Sequence, residues 1–266
     1  MPGNSDDLAM LKESAQAARA IALRHFGACS KVREKGSGQG SVGEADLEID
    51  TMLRERLRAA RPEFGWLSEE TLGHPATRLA ALATFIVDPL DVTRAFWPAR
   101  RDLSMCWYLR VGRVTAAVVH LSLLDLTYLA TAGGGAFLNH RCMMLPPRKG
   151  LIGARILATW SQLATANWQG VLPLVEPHFR KSLARRLCLV AEGRFHGAAT
   201  LHDTRHWDTA AAALIAREAG AVVSDRFGAP LVFKTPKPLS RGLLVGSAGV
   251  LADFLKGLQA EEKTFA

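Results

Sequence analysis

Four places in the sequence put carboxylates at the ends of expected secondary-structure elements. Asp88 and Asp91 flank Pro89 directly after the apolar run Ala83–Val87. Proline disfavours helical geometry at the residue before it, so the strand is expected to end and the chain to turn at Asp88-Pro89. Two carboxylates three residues apart on such a turn cannot both stay ionised in a dry pocket without a cation. Glu69 and Glu70 occupy the equivalent place after the preceding strand. Asp208 lies at the start of a later helix, and Asp46 lies early in another. Hard oxygen ligands collected from several element ends suit Mg²⁺ better than zinc, which prefers His and Cys. On spacing alone the alternative stays open that Asp88, Asp91 and Asp208 cap helices or fill turns.

The residues after Asp91 add a second chemistry. Val92-Thr93-Arg94-Ala95 reads as the first turn of a short helix ended by Pro98. Free backbone N–H groups at a helix start bind phosphate oxygens, and the helix dipole adds to this. The Thr93 hydroxyl could position a water, or Thr93 is an ordinary first-turn residue. Metal carboxylates beside a phosphate cradle are the parts needed to hydrolyse a phosphate monoester.

The elements that must hold these groups follow from hydrophobic periodicity. Leu8–Phe26 and Glu44–Arg61 carry apolar residues at helical spacing, and the second stops at Pro62. Phe64–Leu67 and Ala83–Val87 read as strands, and Met105–Leu129 as three strands split by turns at Val111-Gly112 and Ser122–Asp125. Glycines 133–135 close that block. A strand at Ala154–Thr159, helices at Ser182–Glu192 and Trp207–Gly220, strands at Ala221–Ser224 and Gly242–Gly246, and a helix at Val250–Gln259 complete the pattern. Such irregular alternation with hairpin-like strands in the middle implies layered sheets and helices rather than a simple doubly wound sheet.

Composition bounds the rest. The chain has 266 residues, 48% hydrophobic and 22% charged, as an average soluble domain does. The formal charge of +8 implies an anionic partner, nucleic acid or phosphorylated metabolite. No basic run interleaved with aromatics is present, which argues against nucleic acid. No apolar stretch reaches membrane-spanning length, and the N-terminus lacks a signal-peptide pattern, so a cytoplasmic protein is expected. The four cysteines are far apart and read as reduced, mostly buried thiols. The eight histidines form no ligand set, and the six tryptophans read as core residues.

Four segments carry a resemblance. IVDPLDVTRAF (Ile86–Phe96) resembles the D-P-[IL]-D-G-T-x-x-F signature of the inositol monophosphatase superfamily, and HWDTAAAALIAREAGA (His206–Ala221) its W-D-x-A-A signature. VGEAD (Val42–Asp46) and WLSEE (Trp66–Glu70) match the two remaining metal-site segments, in order and spacing. The resemblance implies an α+β fold, a layered α-β-α-β-α sandwich. It would form one compact unit: residues 1–150 with the first sheet and most metal ligands, and residues 151–266 supplying Asp208 and substrate contacts.

It also implies a Mg²⁺-dependent phosphate monoester hydrolase using two or three ions. Glu69, Asp88 and the Leu90 carbonyl would hold the first ion, and Asp88, Asp91 and Asp208 the second. Glu70 would support them, and a third ion would lean on Glu69. Thr93 and Glu69 would orient and deprotonate the attacking water, with Asp46 accepting the Thr93 proton. The Val92 and Thr93 N–H groups, with Asp91 and Lys35, would face the substrate. A homodimer and lithium sensitivity are expected on the same ground.

The sequence departs from the family pattern at three points. Val92 replaces the signature glycine, Gly43 the usual threonine and Ala221 a second glycine. The first departure leaves a catalytically impaired phosphate-binding relative as an alternative. A glutamate that grips inositol hydroxyls in many relatives is Leu201 here. Ser182–Ala198 is similar to a segment of bacterial bisphosphate nucleotidases, with Arg185, or alternatively Arg186, as a second anion contact. The substrate expected is therefore a 3'(2'),5'-bisphosphate nucleotide such as 3'-phosphoadenosine 5'-phosphate, a small phosphorylated metabolite. Inositol monophosphate and histidinol phosphate are the alternatives.

Overall fold

A computed structural model describes residues 4–26, 32–34, 41–91, 104–110, 113–169 and 174–258. Lys35, Val92 and Thr93 lie outside the described residues, as does the expected short helix after Asp91. The chain opens with α1 (Asn4–His25), a hairpin of β1 (Val32–Glu34) and β2 (Ser41–Gly43), and α2 (Glu44–Ala60). Then come β3 (Gly65–Ser68), α3 (Pro75–Ala80) and β4 (Ala83–Asp91). A meander follows: β5 (Ser104–Arg110), β6 (Ala116–Leu121), β7 (Leu126–Thr131), β8 (Gly135–Leu138) and β9 (Arg141–Met143). The second part has β10 (Ala154–Leu157), β11 (Val175–His178), α4 (Leu183–Ala191), β12 (Gly197–Thr200), β13 (Thr204–Arg205) and α5 (His206–Glu218). It ends with β14 (Val222–Ser224), β15 (Leu239–Ser240), β16 (Leu243–Gly246) and α6 (Ala248–Gly257).

β3 through β9 form a seven-stranded sheet in sequence order, antiparallel except for the parallel β3–β4 pair. A five-stranded sheet has the order β11-β10-β12-β16-β14. Helices fill the spaces on either side. α1 and α2 pack on one face of the larger sheet, α4 and α5 lie between the two sheets, and α6 covers the far face of the smaller sheet. The fold is thus an α+β sandwich of five layers, α-β-α-β-α.

Period-two alternation along the strands sorts side chains between these layers. On β6, Ala116 and Val118 join the α1–α2 core, whereas Ala117, Val119 and Leu121 join the central core. A third cluster, with Val250, Leu251 and Phe254 of α6, lies under the smaller sheet. Among the described residues no helix is long and apolar enough to cross a membrane.

Several expectations are corrected. β4 does not end at Asp88-Pro89 but runs on to Asp91, with a register shift between Asp88 and Asp91. Proline lacks an N–H and is tolerated where the ladder is broken by a bulge. The meander does not close at glycines 133–135; it turns there into β8 and β9. Trp160 is exposed, unlike Trp66, Trp168 and Trp207, and the Cys142 thiol is exposed while Cys188 is buried.

α5 is pressed between layers, and Ala210, Ala211, Ala212 and Ala213 are all buried. Small side chains let the helix sit close to the sheet and hold its first turn steady. Ala212→Leu adds volume with nowhere to go and is expected to destabilise the fold by about 1–3 kcal/mol. A lowered urea midpoint checks this.

Candidate metal centre

The parallel β3–β4 pair sets the first two acids. Its register pairs Ser68 with Val87, so Glu69, just past the end of β3, comes beside Asp88 within β4. The Glu69 N–H donates to the Val87 carbonyl at 3.1 Å, which continues the ladder one step into the turn. The bulge in β4 sets the next. Three steps from Asp88 to Asp91 oppose two steps from Cys106 to Ser104. Strict alternation would leave Leu90 on the face of Asp88. The extra residue instead buries the Leu90 side chain in the α1–α2 core, so that this position has only its carbonyl to offer.

Asp208 comes from the first turn of α5, where the helix dipole favours a negative charge. Asp46 comes from the first turn of α2, where its Oδ2 accepts the Gly43 N–H at 2.8 Å. That bond keeps one half of a capping box; the hydroxyl half is lost with the glycine at position 43.

Glu69, Asp88 and Asp208 each bring one carboxylate oxygen into a group whose members lie within 4.8 Å of one another. Asp88 is fully buried, and neither of its oxygens has a hydrogen-bond partner. Burial holds its carboxyl well above the usual carboxylate range, and Asp91, Glu69, Asp208 and Asp46 push it the same way. Asp208 is raised by burial and then by Asp91 and Glu69, while Arg205 opposes through its charge and its backbone N–H. A buried carboxylate with no donor, facing like charges, fits a divalent cation held by hard oxygens.

The structure therefore brings Glu69, Asp88, Asp91, Asp208 and Asp46 into one electrostatic neighbourhood. It separates the two arginines of α4. Arg185 has Arg194, Glu192 and Cys188 as its electrostatic neighbours. Arg186 is buried and feels Asp91, which opposes a burial effect that brings its pKa down to about 10. Its Nη1 donates to Thr200 Oγ1 at 3.3 Å, and its Nε donates to the Arg180 carbonyl. His202 lies near it and has its pKa lowered by burial and by Arg186. His206 is fully buried against the Phe233 ring, and burial takes its pKa down to about 4, so it is neutral beside the site.

Asp50 belongs to none of the motif segments. It is a buried acid one turn beyond Asp46 that bonds the turn carrying Glu69 and Glu70. A further acid four residues along the same helix was its only signal.

Asp88 also predicts how the metal-free protein responds to pH. Its folded pKa is raised, so the stability tied to its protonated form is present below about 3.9 and is lost as pH rises through the folded value. Asp88→Asn removes that loss. In chelator at pH 7.5 the variant is expected to melt higher than wild type, by about 2–4 °C for each kcal/mol regained. The gap should close toward pH 4, and saturating Mg²⁺ should reverse the order. A lower melting point for the variant in chelator would contradict the arrangement.

Comparison with known proteins identifies the family and the fold. A sequence profile described as "Inositol monophosphatase family" matches residues 4–262. The chain is 34% identical over 233 residues to an inositol-1-monophosphatase of Rhizobium meliloti (strain 1021), covering 84% of each chain. It is 30% identical over 200 residues to a 3'(2'),5'-bisphosphate nucleotidase CysQ of Aggregatibacter actinomycetemcomitans, covering 72% of this chain and 74% of that one. Among solved structures, the extragenic suppressor protein suhB of Bartonella henselae superposes with a TM-score of 0.80 at 24% identity, covering 97% and 99% of the two chains.

Proposed function

This chain belongs to the inositol monophosphatase family and is a metal-dependent phosphatase; from that premise we propose that it hydrolyses a 3'(2'),5'-bisphosphate nucleotide with Mg²⁺. The observation that carries the substrate reading is Arg186, a buried guanidinium beside Asp91 with His202 next to it. A cation within electrostatic reach of the acidic cluster suits a second phosphate on the substrate, because guanidinium matches phosphate oxygens well. Arg186 replaces Arg185 in this role. Leu201 supports the same reading: it stands where many inositol-specific relatives carry a hydroxyl-gripping glutamate, and it is apolar and half-buried.

Glu69, Asp88, Asp91, Asp208 and the Leu90 carbonyl would hold the metal. When bound, Mg²⁺ supplies charge that acidifies a nucleophilic water and stabilises the leaving alkoxide. Glu69 and Thr93 would orient and deprotonate the attacking water, and Asp46 would accept the Thr93 hydroxyl proton, as the family resemblance implies. By the same resemblance, the Val92 and Thr93 N–H groups and Lys35 would hold the phosphate being cleaved. Cytoplasmic location, a homodimer and inhibition by lithium belong to the same reading. A second reading, inositol monophosphate as substrate, is favoured by the 34% identity to the Rhizobium meliloti inositol-1-monophosphatase.

A panel of phosphate monoesters with Mg²⁺ tests this by phosphate release. The expected order is 3'-phosphoadenosine 5'-phosphate ahead of inositol 1-phosphate by at least about tenfold in kcat/KM, a difference of about 1.4 kcal/mol. Arg186→Met should raise KM for the bisphosphate more than for a substrate with one phosphate. Preference for inositol 1-phosphate, unchanged by Arg186→Met, would favour the second reading.

A further inference from the structure

We propose that Asp50 is a positioning residue, which holds the Glu69–Glu70 turn in its metal-binding shape before any metal arrives. The inference rests on the reading of Glu69 as a metal ligand. Asp50 sits one helical turn after Asp46 on α2, and its side chain is only 3% exposed. It accepts hydrogen bonds from two hydroxyls, Ser68 Oγ at 2.5 Å and Thr71 Oγ1 at 2.7 Å. Those hydroxyls bracket Glu69 and Glu70 in the chain.

Each hydroxyl is also committed in the other direction. Thr71 Oγ1 accepts from the Trp66 indole N–H at 2.7 Å, and Ser68 Oγ accepts from the Glu70 backbone N–H at 3.3 Å. The Ser68 N–H closes the turn onto the Thr71 carbonyl at 3.1 Å. Every donor in this set has one direction, and both chains of bonds end on the same carboxylate.

The residue type follows from that arrangement. An ionised Asp offers two acceptor oxygens and no donor, so both hydroxyls can point at it. Asn would turn an N–H₂ toward one of them. The need for the clamp follows from the charges. Glu69 is held against Asp88 and Asp208 with like sign, so a metal-free turn is pushed away from the cluster. Asp50 opposes that displacement from the back of the turn, on α2, a helix fixed in the α1–α2 core through Ile49 and Leu53. Partners that orient a metal ligand in this way are worth about 10–100-fold in metal affinity or activity.

The experiment is calorimetric titration of chelator-stripped protein with Mn²⁺, alongside Mg²⁺-dependent kinetics and amide exchange at Glu69 and Glu70 without metal. The variants are Asp50→Asn, Ser68→Ala, Thr71→Val and Thr71→Ser, with Glu69→Gln as the control for the site. Asp50→Asn and Thr71→Val are expected to weaken Mn²⁺ binding by at least about tenfold and to speed exchange in the turn, while kcat at saturating Mg²⁺ stays within about threefold. Thr71→Ser keeps the hydroxyl and should behave as wild type. If Asp50→Asn does not fold, Ser68→Ala and Thr71→Val decide on the same criteria. Folded variants that bind Mn²⁺ within twofold of wild type, while Glu69→Gln weakens binding, would overturn the role of Asp50 alone. Unchanged binding in Glu69→Gln would overturn the metal-site reading beneath it.

Discussion

A carboxylate with no exposed surface and no hydrogen-bond donor sits at the centre of this protein. Asp88 faces Asp91, Glu69, Asp208 and Asp46, and burial and charge both oppose its ionisation. Buried charge is costly unless it is compensated, and no described protein group compensates this one. A divalent cation among these oxygens would do so, and would turn an unfavourable buried contact of the metal-free chain into a favourable one. Metal affinity and metal-free instability are two aspects of one arrangement.

The layers of the fold hold that arrangement together. Parallel pairing of β3 and β4 puts Glu69 beside Asp88, and the bulge at Pro89 turns the Leu90 side chain into the α1–α2 core. The alanine face of α5 lets a helix lie between two sheets, close enough for Asp208 to join the set. α2 carries Asp46 toward the cluster and Asp50 behind the turn. Groups of like charge stay within 4.8 Å of one another because each is fixed by packing elsewhere. Among the described residues, Arg205 acts on Asp208 and Arg186 feels Asp91, so positive charge reaches the acidic cluster from α4 and from the start of α5.

Much of this was readable in the chain. The apolar runs before Glu69 and Asp88, the position of Asp208 at the start of an alanine-rich helix and the four motif segments pointed to the candidate site and implied the sandwich. Other features had no signal of period or composition. β8 and β9 are short and partly exposed, with Asn139 and His140 between them, so neither alternation nor a run of apolar residues marked them. Pro89 pointed to a turn, whereas a bulge absorbs it within the strand. Arg185 and Arg186 are adjacent, and about 100° of helical rotation separates the one near Glu192 from the one near Asp91. Asp50 carries no motif of its own; its two hydrogen bonds come from Ser68 and Thr71, on a different element, and no pattern within α2 announces them.

Anomalous diffraction from crystals grown with Mn²⁺ would test the central claim most directly, because it locates the ion without reference to activity. The account predicts an anomalous peak among the carboxylates of Glu69, Asp88 and Asp208, with an Asp88 oxygen among its ligands. Well-diffracting crystals in saturating Mn²⁺ with no peak there, and an Asp88 carboxylate still without a partner, would contradict it.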